Sequence, residues 1–407
     1  MSQEQTRITR RFSVFQFVLW SAMFGGYYVT TYLKEIGFSG TNIGLIVSVG
    51  SLLGSILLPL LGRISDKTGS ARWPFLFVVT VTVVLTAFLP LITGNSAARI
   101  VVPSLYCLVI MTFKACEVSL SDSLCLERIT PWKTGFATVR IWGTIGYLVI
   151  SVAATLLLLR YNSEVTFYLS LLPFAVLFVM VLNEDAWEKR QLGAVSCAAR
   201  KPDNKGKTRS SREDVKKIFK NKAFMAYLFL ALGLNVECSI TLLYQAYLLT
   251  GAGVEGKFIA FYQGIRTVIE LLCMLVLMRL LNKGKLTLWH GMALCGILYI
   301  IEHALYPFLR TPGALLLIMI PSGIGSGLFY GVGPELVNRI AAPEVKSTCQ
   351  TLNGMCTALM ATLGTLTGGI IIDRFGIYSL TTICLVILVI TTASFVTINL
   401  ISDRKKA

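Results

Sequence analysis

The sequence predicts an all-α membrane protein: twelve transmembrane helices in two six-helix bundles, with the N- and C-termini cytoplasmic. Three observations predict this. The 407 residues are 55% hydrophobic and 14% charged, with mean hydropathy +0.70, whereas soluble proteins carry about 25% charged residues. Twelve apolar stretches approach or exceed the ~20 residues a helix needs to cross hydrocarbon. A basic stretch between Glu184 and Lys222 holds twelve Lys/Arg and divides six stretches from six, as a linker between two membrane bundles would. The implied division is 1–183 for the first bundle, 184–220 for a cytoplasmic linker and 221–407 for the second bundle.

Taken in order, the spans of the first half fall near 12–33, 41–62, 73–94, 99–126, 134–159 and 165–183. Those of the second half fall near 221–250, 257–281, 286–309, 312–338, 345–371 and 376–401. Arg7, Arg10 and Arg11 precede the first span, and no small-residue cleavage site follows it, so it is read as an uncleaved helix. With the N-terminus inside, 28 of the 37 Lys/Arg fall on inside segments and six on outside ones. That asymmetry sets the orientation and supports the count of twelve, because a missed span would scramble the alternation. The charge sits in loops between apolar spans, so nucleic acid is not expected as a partner. The bilayer is.

Ten Cys are scattered without a CxxC or Cys/His cluster. They read as small buried hydrophobes, with no metal site, disulfide framework or cofactor expected. Gly323, Gly327 and Gly331 in the tenth span, and Gly364, Gly368 and Gly369 in the eleventh, form small-residue faces that let helices approach. Packing is the better reading for both. No HExxH, GxSxG or P-loop pattern occurs, so an enzyme, and with it any catalytic residue, is not expected.

Between spans two and three stands Gly62-Arg63-Ile64-Ser65-Asp66-Lys67-Thr68-Gly69-Ser70-Ala71-Arg72. It resembles the G-x-x-x-D-[RK]-x-G-[RK]-[RK] loop of the major facilitator superfamily through Gly62, Asp66, Gly69 and Arg72, and departs from it at Ser70 and Ala71. The acid suits a helix end, and the basic residues are expected to face the cytoplasmic leaflet. Within the superfamily the chain resembles the branch of lactose permease and the sugar and nucleoside proton symporters. The run from Phe136 to Tyr147 is similar to that branch's fifth span, which implies that Arg140 binds sugar hydroxyls and that Tyr147 stacks on the ring. Counting back gives Asp122 as the acid partner of Arg140, and Glu270 in Ile269-Glu270-Leu271-Leu272 matches the branch's eighth-span acid. The tenth-span His and Glu of the branch have no counterpart, and Ile301-Glu302-His303 replaces its ninth-span Arg. These departures imply a rearranged proton coupling and a substrate other than lactose.

Charges inside spans point to function by default, since each costs about 2.5 kcal/mol or more at the bilayer centre. Lys114 and Glu117 lie near the midplane of span four. Asp122 and Arg140 lie ~13 Å and ~10 Å toward the cytoplasm, so they can meet if spans four and five form a hairpin. Arg140 and Tyr147 share a face, where a planar fork and an aromatic plate suit a hydroxyl-rich ring. Glu237 and Glu270 lie near mid-depth, and Arg266 shares a face with Glu270. Glu302 and His303 rank lower, because ninth spans are peripheral in this fold, and a neutral packed His303 is expected. Asn235 and Gln245, amides deep in a span that need partners, are the best of the aromatic and amide groups as further substrate-binding candidates. Trp20, Tyr27, Tyr28 and Tyr32 line span one and add binding capacity, although packing or an interfacial belt is the better reading for any one of them.

Five acids face three cations within the spans, and a carboxylate without a counter-ion in low dielectric favours its protonated form. The expected activity is therefore secondary active transport: proton-coupled symport of a polar solute such as a sugar or oligosaccharide, with sodium left open as the coupling ion. Uptake of a nucleoside or an aromatic acid is the alternative. Drug efflux on the same fold is disfavoured, because Gly143 to Val149 lacks the Pro of the G-x-x-x-G-P-x-x-G-G run. A monomer in a bacterial inner membrane is expected.

Overall fold

The computed structural model describes residues 3–68, 70–93, 100–132, 136–184, 186–187, 221–282, 284–340 and 346–404. The basic linker therefore lies almost wholly outside the described residues, as do Cys197 and Gly69. Among the described residues the chain is helical with no strand, as expected for a backbone that must satisfy its own hydrogen bonds in lipid. Twelve helical stretches among these residues are long and apolar enough to span a membrane.

In the first half the helices are α1 (Gln3–Ala22), α2 (Phe24–Glu35), α3 (Gly40–Thr68), α4 (Arg72–Thr93), α5 (Val101–Ile129), α6 (Phe136–Leu158), α7 (Val165–Leu169) and α8 (Leu171–Leu182). The second half has α9 (Lys222–Gly251), α10 (Ile259–Asn282), α11 (Leu288–Leu305), α12 (Pro312–Ile340), α13 (Lys346–Phe375) and α14 (Ile377–Arg404). α1 with α2 forms one span, and α7 with α8 another. Gly37 ends α2 at φ 93°, a left-handed turn that glycine adopts without a Cβ penalty. Asn221 and Thr287 cap α9 and α11 by accepting from the N–H groups of Phe224 and His290, each at 3.2 Å.

The helices run past the apolar stretches that announce them. α3 continues through Thr68, so Gly62 and Asp66 lie on its last turns and not in an extended loop. Hydrocarbon sets the length of a span, but intrahelical bonding continues into the headgroup layer. The side chain of Asp66 lies outside the described residues. Arg72 does not face the leaflet as expected: it is buried, donates from Nη2 to the Leu182 carbonyl and lies 4.9 Å over Trp73. A guanidinium satisfies the unpaired carbonyls at the end of a helix. The nine described cysteines are free, and Arg339 and Glu335 pair at 3.2 Å on an exposed face.

The chain divides into two compact units, Met1–Phe38 with Val49–Lys207 and Ser39–Ser48 with Thr208–Ala407. In the first, Phe12, Phe15, Leu19, Phe75, Val79 and Leu120 belong to one apolar core. In the second, Phe224, Tyr227, Met292, Tyr299, Val332 and Phe395 do the same. The glycine stripe of α12 packs on α10: a Cβ on Gly323 would stand 2.8 Å from the Arg266 carbonyl, and one on Gly327 would stand 2.9 Å from that of Glu270. The start of α3 belongs to the second unit, where the Asp373 carboxylate accepts from the N–H groups of Gly40 (2.9 Å) and Thr41 (2.7 Å).

Candidate functional site

Two pairs of residues seven apart meet in the first unit. Trp20 and Tyr27 lie on the span made by α1 and α2, and Arg140 and Tyr147 lie on α6. A separation of seven keeps each pair on one helix face, and the two faces are in register. The Arg140 guanidinium lies 4.0 Å over the Trp20 ring. Tyr27 and Tyr147 meet edge to face at 6.2 Å. Trp20 and Tyr27 are stacked at 6.0 Å with 15° between their planes, and Lys114 of α5 puts its ammonium 4.0 Å over Tyr27. A cation thus sits over each of the two plates.

Small residues make this register possible. A Cβ on Gly146 would fall 2.1 Å from the Phe17 carbonyl oxygen, and one on Gly143 would fall 2.5 Å from Trp20. Ser21 ties the same crossing by donating to the Gly146 carbonyl at 3.0 Å. Trp20 is set by its own helix, its indole N–H donating to Gln16 Oε1 at 3.2 Å. Glu117, Asp122, Arg140 and Tyr147 all act electrostatically on the Tyr27 hydroxyl. Asp122 and Arg140 are electrostatic neighbours, as are Glu117 and Lys114. Glu117 is buried, and its Oε1 has no hydrogen-bond partner among the described residues. The arrangement offers aromatic faces for a planar ring, and donors and acceptors for polar substituents.

The second unit holds a buried ionic cluster. Arg266 of α10 donates to the hydroxyls of Ser322 (3.1 Å) and Ser326 and lies 3.9 Å from the Glu270 carboxylate. Glu237 of α9 accepts from Thr241 at 2.7 Å, and Glu302 of α11 accepts from Tyr306 at 3.1 Å. The remaining oxygen of each has no hydrogen-bond partner among the described residues. His303 lies 3.1 Å through Nδ1 from the Tyr299 carbonyl. A carbonyl only accepts, so Nδ1 carries the proton and the neutral ring keeps a lone pair on Nε2. Glu237, Glu302 and His303 each offer a ligand atom, all within 4.8 Å of one another. This donor set suits a proton or a cation. It was invisible in the sequence because Glu237 stands on a different helix from the other two.

Glu302 and His303 are 0% and 1% exposed, on the inward face of a helix whose other face is exposed at Leu294, Ile297 and Ile301. Gly291, Cys295, Tyr299 and Glu302 lie on the buried side of α11, so the acid points into the unit and not toward lipid. The two amides are also buried. Asn235 donates to the Ala231 carbonyl at 2.7 Å, and Gln245 Nε2 lies 3.8 Å from Met319 Sδ. Sequence reasoning ranks Trp20 and Tyr27 below the charges, as packing or belt, whereas both face Arg140 or Lys114 here. Their spacing of seven, matching that of Arg140 and Tyr147, is the signal that could have found them.

Twelve spans with charged groups buried on inward helix faces define a multi-pass membrane transporter. The chain belongs to the MFS_1-like family, whose model matches residues 9–401, and so to the major facilitator superfamily. It is 25% identical over 386 residues to the nucleoside permease NupG of Escherichia coli (strain K12), covering 88% of this chain and 85% of the permease. It is 22% identical over 288 residues to a sucrose permease of Escherichia coli, covering 68% of this chain and 65% of that permease. The crystal structure of the nucleoside transporter NupG matches with TM-score 0.71 and 20% identity, covering 98% of this chain and 99% of that one. An inward-facing bacterial homologue of the human lysosomal transporter Spinster matches with TM-score 0.61 and 12% identity, covering 98% and 97%.

Proposed function

We propose that this transporter imports nucleosides by alternating access, driven by protons, across a bacterial inner membrane with both its termini in the cytoplasm. The observation that carries this reading is the parallel Trp20–Tyr27 pair with Arg140 and Lys114 over its faces. A nucleobase needs a flat apolar surface, and its ribose needs donors and acceptors beside it. Tyr147, Asp122 and Glu117 supply the polar edge; Asn235 bonds back to its own helix and Gln245 lies against Met319, so neither amide is assigned to the substrate. The likeness to a nucleoside permease supports the same class. In this reading Glu270 is the coupling acid, with Arg266 stabilising its carboxylate once the proton leaves, and Glu237, Glu302 and His303 form the supporting acid cluster. The linker joins the bundles, and the working unit is a monomer.

The test is a thermal-shift screen of the purified protein against nucleosides, mono- and disaccharides and aromatic acids, followed by counterflow in vesicles with each stabilising compound. Nucleosides should raise the melting temperature by mass action, and Arg140→Ala should abolish the shift. A response to sugars alone would replace the substrate class. That is the second reading, an importer of a sugar or oligosaccharide, favoured by the likeness to a sucrose permease.

A further inference from the structure

The N-terminal end of α1 bears a basic cavity that the transport reading does not use. It encloses about 640 Å³ and is lined in part by Arg7, Arg10, Arg11, Val14, Met180 and Trp187. Arg11 builds its wall: the guanidinium donates twice to Glu184 Oε2 (2.9 and 3.0 Å) and once to the Met180 carbonyl (2.9 Å), and lies 4.5 Å over the Trp187 ring. Arg11 matches Glu184, and among the described residues Arg7 and Arg10 are two further cations in the lining. Glu4 is exposed in the same turn but does not line the cavity. A second cavity of about 390 Å³ shares Thr6, Arg10 and Val14 with the first and extends to Phe17 and Trp142. Val14 and Trp142 are 46% and 44% exposed on the outer surface of the span.

The chemistry is thus graded along one helix. Cations stand at its end, and an apolar trough begins one turn deeper, in the direction of the hydrocarbon. We propose that these joined cavities bind an anionic phospholipid, with the phosphate at Arg7 and Arg10 and the start of an acyl chain along Val14, Phe17 and Trp142. Basic pockets at helix ends recognise anionic headgroups, and a tryptophan at the interface lies where headgroup meets chain. A free phosphate would use the arginines but not the trough.

The full-length protein in detergent is titrated with short-chain phosphatidylglycerol, short-chain phosphatidylcholine and inorganic phosphate, with the melting temperature as readout. Phosphatidylglycerol should stabilise the wild type and the other two should not. In R7Q/R10Q its apparent affinity should fall about thirtyfold, two cations at the surface each contributing about fivefold, and R7K/R10K should keep most of it. Val14→Trp, which fills the trough and removes no charge, should also weaken binding and serves if the double variant does not fold. Equal stabilisation by inorganic phosphate or by phosphatidylcholine would overturn the proposal. So would undiminished phosphatidylglycerol binding in a folded R7Q/R10Q or Val14→Trp protein.

Discussion

In the proposed site, Trp20 is the residue that positions Arg140. Its ring lies under the Arg140 guanidinium at 4.0 Å, and this cation–π contact holds the plane of the fork against the aromatic face. Trp20→Ala should therefore weaken substrate binding by about 0.5 to 2 kcal/mol, roughly 2- to 30-fold, while Trp20→Phe keeps a face and loses less; equilibrium binding reads both. Arg140→Ala should abolish binding, whereas Asp122→Asn should cost less if the acid only orients the Arg. Equal mild losses would make Asp122 and Arg140 structural. At this scale the sequence was half legible. The intramembrane charges stand out because polar groups in apolar spans are costly, so Arg140, Glu117, Glu237 and Glu270 could all be named. The aromatic plates could not, because most aromatics in a span serve packing or the interfacial belt. Likewise, nothing in the string 301–303 says which side of its helix is inward.

The closeness of α1 and α6 depends on glycine. A Cβ on Gly146 would stand 2.1 Å from the Phe17 carbonyl oxygen, and a backbone atom cannot step aside as a side-chain tip can. Gly146→Ala should cost about 1–3 kcal/mol through overpacking and should also spread Arg140 from Trp20, lowering both melting temperature and substrate affinity. Gly62→Ala is the contrasting case. Nothing lies within 4 Å of its Cβ position near the end of α3, and alanine is favoured over glycine in a helix by up to ~1 kcal/mol, so its melting temperature should stay level or rise. Asp373→Ala removes the acceptor for the first N–H groups of α3 and should cost about 1 kcal/mol as a lost cap, seen as faster hydrogen exchange at Gly40 and Thr41. The twelve spans were legible because hydrocarbon thickness imposes length and apolarity together. Their true ends were not, since a helix such as α3 continues on hydrogen bonding after hydropathy has fallen away.

Across the whole molecule the chemistry is divided unequally. The first unit carries the aromatic plates with Arg140 and Lys114, and the second carries three carboxylates around Arg266. With Glu237, Glu270 and Glu302 all ionised, one guanidinium would leave a surplus of negative charge in a dry core, and uncompensated buried charge is strongly unfavourable. In the proposed mechanism protons or cations make up the difference, which would place the driving ion in the second unit and the solute in the first. The two duties should therefore separate by mutation. Arg140→Ala vesicles should lose both uphill uptake and solute exchange, because nothing is bound. Glu270→Gln keeps the side chain's shape and one acceptor but cannot exchange a proton, so accumulation driven by a pH gradient should vanish while exchange without net proton movement persists. If Glu270→Gln vesicles still concentrate solute, the role passes to the Glu237–Glu302–His303 cluster, and Glu302→Gln should then show the exchange-only behaviour. Accumulation that follows a sodium gradient and ignores pH in the wild type would instead make that cluster a cation site, consistent with its ligand atoms lying within 4.8 Å of one another.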